Sequence, residues 1–327
     1  PYMDEIRFID MGGELAPQIA ALKSGEIDLI DASDNPGPQI MMAVKDDDHI
    51  NVMPVATATT RVLRMRVDMK PWSDNNVRMA LKLCQNREKI LALAYQGEGL
   101  QGQDFHVYPK HPEYCEKPIP KYDPEKAKQL LEEAGWKPGP DGIRQKDGTR
   151  LRLKITTTTG NKLREMVEQV LVAQMKAVGI EFYIENVPSS VLFGSWSNDA
   201  DRKKGRYDIL MYTTGPGIDP HQQYEGYFHS KNIPTEANGG SGYNYTRHRD
   251  AELDKWLDLA GKAPSMEKRA EAYRKAQERV AQIVPHIYLY RRVNVHAFRN
   301  NIKGWIPNGY GIIDVVATWN VADWYVE

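Results

Sequence analysis

Strand-like and helix-like segments alternate along this chain, and the alternation constrains its fold more than any other feature. Residues 5–32 predict one strand–helix–strand unit, which begins with a strand at 5–10. Residues 151–187 predict a second unit of the same kind, whose helix ends at Gly179. Because such a unit packs its helix on a sheet, the sequence predicts an α/β fold with the two units in different domains.

Further helices are indicated by capping residues and by apolar residues at helical spacing. Ser73-Asp74 begins a helix whose apolar positions continue to Leu91, and Asp123 precedes a proline that opens another helix. Residues 250–260 and 265–284 predict two more helices near the end of the chain. These helices supply the layers that cover the predicted sheets.

Three strand-like segments lie outside the two units, at residues 51–67, 207–214 and 286–298. The second of them is apolar enough to be buried and leads directly into a turn rich in glycine and proline at residues 215–220. Ligands of open α/β sheets bind beyond the carboxyl ends of strands. The turn is therefore the predicted location of a ligand.

Composition and charge exclude several classes of function. The chain has 43 basic and 44 acidic residues in a length of 327, with no basic block, so it lacks the charge that nucleic-acid binding requires. No run of 18 apolar residues is present. Of the two cysteines, Cys84 lies on an apolar helical stripe and is expected to be a buried thiol, with a bridge to Cys115 as the alternative.

Aromatic and basic side chains near the turn are candidates for contacting a ligand. Six aromatic residues surround it in sequence, of which about half are expected in the core instead: Tyr212, Tyr224, Tyr227, Phe228, Tyr243 and Tyr245. Arg61, Arg64 and Arg66 cannot all share one face of a strand, so either one of them points to the ligand or they decorate a solvated edge strand.

Motifs of catalysis and of cofactor binding are weak. Residues 97–102 match the glycine pattern of dinucleotide sites, but a helix precedes them where the motif needs a strand, so we expect a simple connection. No cofactor is expected. The eight histidines show no metal-binding spacing, and no metal site is expected either. His106 is retained because it lies in a loop that follows a helix.

Three segments carry a resemblance to a known family: ALKSGEIDLID (residues 21–31), PWSDNNVRMALKLCQNREKI (71–90) and YDPEKAKQLLEEAGW (122–136). They resemble the solute-binding proteins of bacterial ABC importers, in the oligopeptide, dipeptide and nickel-binding family. The resemblance covers the whole chain but starts partway through the family's pattern, so we expect an N-terminal portion to be missing.

The resemblance implies a two-lobed, periplasmic-binding-protein-like α/β fold of the oligopeptide-binding class, hinged by two strands. Residues 1–62 and 288–327 would form part of the first lobe, and residues 63–287 would form the second. The chain would cross between them at about 61–67 and 285–290.

The implied function is capture of a small solute between the lobes and its delivery to the transmembrane subunits of an ABC permease, by a monomer in the periplasm or lipid-anchored at the cell surface. The ligand would be a peptide, or alternatively an oligosaccharide or an opine-like solute. The residues predicted to contact it are Thr59, Thr60, Arg61, His106, Tyr212, Thr213, Thr214, Gly215, Gly217, Asp219 and Tyr288.

Two alternatives concern the chemistry of this site. The resemblance implies that peptide-binding members use an Asp in this turn to anchor the ligand's α-amino group. The matching position here is Gly217, two residues before Asp219. This difference favours a carbohydrate or related organic solute. An enzyme using Asp219 and His106 as acid and base is the rival class, and the sequence favours a binding protein without catalysis.

Overall fold

The computed structural model describes residues 2–11, 14–31, 37–95, 97, 100–103, 111–116, 118–215, 217, 219–306 and 320–327. Its strands are β1 (Leu29–Asp31), β2 (Ile50–Met65), β3 (Leu100–Gln101), β4 (Lys137–Pro138), β5 (Arg144–Lys146), β6 (Thr149–Arg150), β7 (Arg152–Thr156), β8 (Glu181–Ile184), β9 (Ile209–Thr214), β10 (His286–Arg299), β11 (Ile302–Lys303) and β12 (Tyr325–Val326).

Side chains in the cap positions begin most of the longer helices. The helices are α1 (Leu15–Ser24), α2 (Gly37–Val44), α3 (Asn75–Leu83), α4 (Arg87–Tyr95), α5 (Pro124–Glu133), α6 (Lys162–Ala177), α7 (Ser189–Phe193), α8 (Asp201–Lys204), α9 (Pro220–Phe228), α10 (Ala251–Gly261) and α11 (Met266–Ile283). Asp74, Asp123 and Asn161 each accept a hydrogen bond from a backbone N–H of the first turn that follows, which fixes the starts of α3, α5 and α6.

A seven-stranded sheet holds the molecule together, in the order β1-β10-β2-β9-β7-β8, with β3 added beside β10. Strand β7 runs parallel to β8 and β9, whereas the other pairs are antiparallel. The β2–β10 ladder extends from Arg64 and His286 to Ile50 and Arg299. The predicted crossing segments therefore lie inside two long strands, and one sheet continues through them in place of two separate sheets.

Different hydrophobic cores cover different parts of this sheet. Leu22, Ile30, Ile40 and Val44 pack α1 and α2 near the β1 end. The largest core packs α3 to α6 on the other half, and it includes Trp72, which is fully buried. A third core joins α9, α10 and α11.

Two sequence predictions about secondary structure are wrong. The predicted strand at residues 5–10 is not a strand, and Phe8 and Ile9 are 79% and 58% exposed. A strand needs a paired neighbour, and this segment has none among the described residues. The single helix predicted from residue 74 to 91 is two helices, α3 and α4, because Asn86 Oδ1 accepts a hydrogen bond from Lys89 N (2.8 Å) and starts a new helix.

The cysteines are both free. Cys84 is buried, as predicted, with Sγ 3.5 Å from Met175 Sδ, and burial raises the pKa of its thiol to about 12. Cys115 is partly exposed, and the alternative of a bridge between the two is wrong. Among the helices of the described residues, none combines the length and the apolar character needed to cross a membrane.

Candidate functional site

Many predicted site residues lie on three neighbouring strands, β10, β2 and β9. Thr60 pairs with Thr214 across the β2–β9 ladder, and Arg61 pairs with Thr213. Tyr288 is on β10, on the opposite side of β2. The predicted residues that the structure brings together are Thr59, Thr60, Arg61, Tyr212, Thr213, Thr214 and Tyr288.

The side chains at this crossing are buried. Arg61, Thr214 and Tyr288 are each at most 1% exposed. Arg61 Nε donates a hydrogen bond to Tyr290 Oη at 3.3 Å, which orients the guanidinium across the β2–β10 ladder. Because β2 is an inner strand of the sheet, the alternative that its arginines decorate a solvated edge strand is wrong.

The β2–β10 ladder is irregular at the crossing. Its register shifts between Tyr288 and Tyr290, and again between Arg291 and Val293. Opposite the second shift, Thr57 Oγ1 donates to the backbone carbonyl of residue 292 at 3.0 Å. Irregularities of this kind bend and twist a strand locally, so the direction of the sheet changes at the predicted site.

Strand β3 covers the crossing from the side of β10. Gln101 pairs with Tyr290, and Gly102 N donates to Leu289 O at 3.0 Å. A Cβ atom at Gly102 would lie 2.7 Å from the carbonyl carbon of Tyr288, closer than side chains approach backbone. The last glycine of the 97–102 motif therefore permits close packing of two backbones.

The predicted turn follows β9 as a bend that begins at the buried Gly215. Gly217 has φ 74°, in the left-handed region that glycine adopts without strain. His111 Nε2 lies 3.3 Å from Gly217 O, a hydrogen bond in which the ring N–H donates. This contact attaches the bend to the loop around residue 111. Pro216 and Ile218 lie outside the described residues.

Asp219 has two local partners. Its Oδ1 accepts from His221 N at 2.9 Å as the cap of α9, and its carboxylate forms an ion pair with Arg269 on α11. Burial raises the pKa of this carboxyl, but the His221 N–H and the Arg269 guanidinium outweigh that effect, and the net pKa is lowered. Asp219 is therefore ionised at neutral pH, which is unsuited to a general acid.

Residues from distant parts of the chain surround Asp219, and sequence analysis missed them. Arg269 Nε also lies 2.9 Å from Glu113 Oε1, and Glu113 is 2% exposed. His221 Nδ1 lies 2.6 Å from Tyr273 Oη, and burial is the main cause of a lowered pKa for His221. The four-residue spacing of Arg269 and Tyr273, which places both on one face of α11, is the only local signal for them.

Four of the six aromatic residues predicted near the turn form a chain of edge-to-face ring contacts, in the order Phe228, Tyr227, Tyr243 and Tyr245. Tyr224 and Phe228 are on α9 and pack in the core with α10 and α11, and with Tyr212 and Tyr245 they make four of the six core residues, where about half were expected. Tyr212 and Tyr245 belong to a separate buried cluster with Phe193. Helix α9 itself was not predicted from the sequence.

Strand β9 has an unpaired, buried edge where it approaches the bend. Its pairing with β7 involves only Ile209 and Leu210. One residue further, Thr157 Oγ1 donates to Met211 O at 2.6 Å. From Tyr212 to Thr214, β2 is the only strand that pairs with β9 in the described part of the chain.

His106, the remaining predicted residue, lies in the segment 104–110, outside the described residues. Among the described residues, no group of three or more His, Cys, Asp or Glu side chains is arranged to hold a metal ion. The described site offers buried threonines, tyrosines and arginines beside an unpaired strand edge. Such a surface can hold a polar organic molecule through main-chain and side-chain hydrogen bonds.

Comparison with known proteins identifies the family. Residues 1–235 match the family model of "Bacterial extracellular solute-binding proteins, family 5 Middle". The oligopeptide-binding protein AppA of Bacillus subtilis (strain 168) is 29% identical over 241 residues, which are 72% of this chain and 41% of AppA. The dipeptide-binding protein of Escherichia coli (strain K12) is 25% identical over 279 residues, 84% of this chain and 48% of that protein.

Solved structures show the same fold. The structure of B. subtilis AppA in complex with a nonapeptide matches with a TM-score of 0.80 and 24% identity, over 96% of this chain and 59% of that one. The chain spans about half the length of the curated relatives, 41% and 48% of the two named. Its fold is the two-lobed α/β fold of periplasmic binding proteins. From the profile match and these relatives, the chain belongs to family 5 of the bacterial extracellular solute-binding proteins.

Proposed function

We propose that this chain is the substrate-binding component of an ABC importer, and that it captures a peptide between two lobes and delivers it unchanged to a membrane permease. It would act outside the cytoplasmic membrane, in the periplasm or anchored to the cell surface, as a monomer. Relatives named as oligopeptide- and dipeptide-binding proteins support the peptide class.

The observation that carries the peptide proposal is the edge of β9 from Tyr212 to Thr214, which has no strand partner among the described residues. An extended peptide can add to such an edge as a further strand, because its backbone N–H and C=O groups match those of the sheet. The proposal assigns Thr59, Thr60, Arg61, His106, Tyr288 and residues 212–219 to the ligand.

The two lobes remain those defined from the sequence, residues 1–62 with 288–327, and residues 63–287. The register shifts in β10 at Tyr288 and Arg291 lie at the boundary between them. Irregular ladders bend more easily than regular ones, which supports closure of the lobes about this crossing.

An oligosaccharide or opine-like solute is the second candidate. The observation in its favour is that Gly217 has no carboxylate, whereas the nearby carboxylate of Asp219 is already paired with Arg269. A buried ammonium without a partner costs on the order of several kcal/mol, which would weaken peptide binding. Buried Thr and Tyr hydroxyls suit a polyhydroxylated ligand equally well.

Native mass spectrometry of protein purified without denaturation tests the ligand class. A bound mass that fragments into amino-acid residues is the expected result, and a bound sugar or opine would overturn the peptide proposal. Incubation with the identified solute, followed by its quantitative recovery, tests the absence of catalysis. Turnover of the solute would favour the enzyme class instead.

A further inference from the structure

A group of basic and aromatic side chains lies under the face of β2 and β9 that is opposite to the main core. We call it the arginine–tyrosine cluster and define it as Arg64, Arg202, Phe193, Tyr212 and Tyr245. The Arg64 guanidinium lies 3.7 Å above the Tyr212 ring, and the Phe193 and Tyr212 rings meet edge to face at 5.1 Å. Arg202 lies 4.8 Å from the Phe193 ring and 5.4 Å from the Tyr245 ring.

Several hydrogen-bond donors of this cluster are buried and have no partner. Arg64 is fully buried and uses only Nη1, which donates to Tyr212 O at 3.2 Å, so Nε and Nη2 are unpartnered. Tyr212 Oη, Tyr245 Oη and Arg202 Nε are also buried without partners. Buried polar atoms are nearly always hydrogen-bonded in folded proteins, so these five unpartnered donors make the cluster a candidate site for an acceptor that a ligand supplies.

The charge of the cluster is not balanced by a nearby carboxylate among the described residues. No carboxylate oxygen lies within 4 Å of the cationic groups of Arg64, Arg202 or the neighbouring Lys203 in the part of the chain that the structure describes. Burial, and then repulsion by Arg202, lower the pKa of Lys203. A buried guanidinium without a counter-charge costs several kcal/mol, and an anion would remove that cost.

The polar atoms of the two tyrosines are suited to the same anion. Burial is the main cause of a raised pKa for Tyr245, so its hydroxyl keeps its proton and donates. Guanidinium N–H and phenol O–H groups together make the charge-assisted hydrogen bonds that a carboxylate accepts.

We propose that the arginine–tyrosine cluster is an anion subsite that takes a carboxylate of the captured solute. This assignment rests on the proposed function. The arginine–tyrosine cluster lies close to the predicted site, because Thr60 and Arg64 are on the same face of β2, four residues and about 13 Å apart. Tyr212 lies between them on β9, two residues before Thr214. A solute that spans this distance has the length of roughly four extended residues.

Calorimetric titration with small anions tests the subsite without knowledge of the solute. Protein stripped of bound solute by unfolding and refolding is titrated with acetate, succinate and inorganic phosphate at constant ionic strength. The wild type is expected to bind the carboxylates, and Arg64→Met to weaken that binding at least tenfold. Tyr245→Phe removes one oxygen atom and keeps the ring, and it is expected to weaken carboxylate binding at least threefold. It is the second test variant if Arg64→Met does not fold.

Arg152→Met is the matched control, because Arg152 also stacks on a tyrosine, 4.1 Å above the Tyr183 ring, but is outside the cluster. It should leave carboxylate binding unchanged. Absence of binding by the wild type, or binding that Tyr245→Phe does not weaken, would overturn the subsite. Binding of phosphate alone would overturn the assignment to the solute. A solute found by native mass spectrometry would leave the proposed function intact in each case.

Discussion

Replacement of Gly102 by alanine tests how tightly β3 packs on the crossing. The added Cβ would lie 2.7 Å from Tyr288 C, 2.8 Å from Tyr288 O and 3.0 Å from Leu289 C. These are backbone atoms of an inner strand, so they cannot rotate away as the end of a side chain can. The chain at residue 102 must therefore move away from β10.

The size of this movement gives the expected cost. Ordinary contact begins at 3.4 Å, so the separation from Tyr288 C must grow by 3.4 − 2.7 = 0.7 Å. The same shift would lengthen the Gly102 N to Leu289 O hydrogen bond from 3.0 Å to about 3.7 Å, beyond hydrogen-bonding range. Loss of that bond costs about 1 kcal/mol. Overpacking adds about 1 to 3 kcal/mol. The expected loss of unfolding free energy is therefore roughly 2 to 4 kcal/mol.

Urea unfolding followed by tryptophan fluorescence measures this loss. Gly226→Ala is the control, because its Cβ would meet only the Tyr243 ring, at 3.1 Å, and alanine favours the helix in which it lies. The control should be neutral or stabilising. A Gly102→Ala variant within about 0.5 kcal/mol of the wild type would contradict the close packing of β3 on β10.

Three further predictions concern carboxylates. Burial raises the pKa of Glu168 to about 7 from 4.5, so the folded state prefers the protonated form and loses stability as the pH rises through 7. Glu168→Gln should therefore raise the unfolding free energy at pH 8 by on the order of 3 kcal/mol but have little effect at pH 4, and equal effects at both pH values would refute this account. Asp123→Ala removes the cap of α5 and should lower the unfolding free energy by about 1 kcal/mol in urea, with the exposed Asp46→Ala as a comparison. Asp219→Asn keeps a capping oxygen and should lower the unfolding free energy by less than about 1 kcal/mol. The same variant should weaken the binding of an amine-bearing solute at least tenfold in calorimetry, and an unchanged affinity would remove Asp219 from the site.

The long elements of this fold were predictable because their signals are local. Helices α5 and α6 have capping residues, Asp123 and Asn161, directly before an apolar stripe, and β9 is a run of buried residues. The glycines and prolines at residues 215–220 then predicted the turn that follows β9. The strand predicted at residues 5–10 failed because alternation alone does not create a pairing partner.

The surroundings of the site were less predictable, since they depend on contacts between distant segments. Arg269 reaches Asp219 from 50 residues further along the chain, and Glu113 reaches Arg269 from 156 residues before it. Neither residue lies in a motif. Asn86 is a capping residue that could have predicted the start of α4. The apolar spacing around Cys84 continues past Asn86, however, and therefore favoured one long helix.

The two free cysteines differ enough to make the protein a convenient sensor. The Cys84 thiol is enclosed and stays protonated at neutral pH, so a maleimide dye would react with Cys115 alone. That position is two residues from Glu113, on the loop whose His111 touches the bend. Under the proposed function, a fluorophore there would report binding of a solute through a change in its emission, and candidate solutes could be screened without altering the sequence.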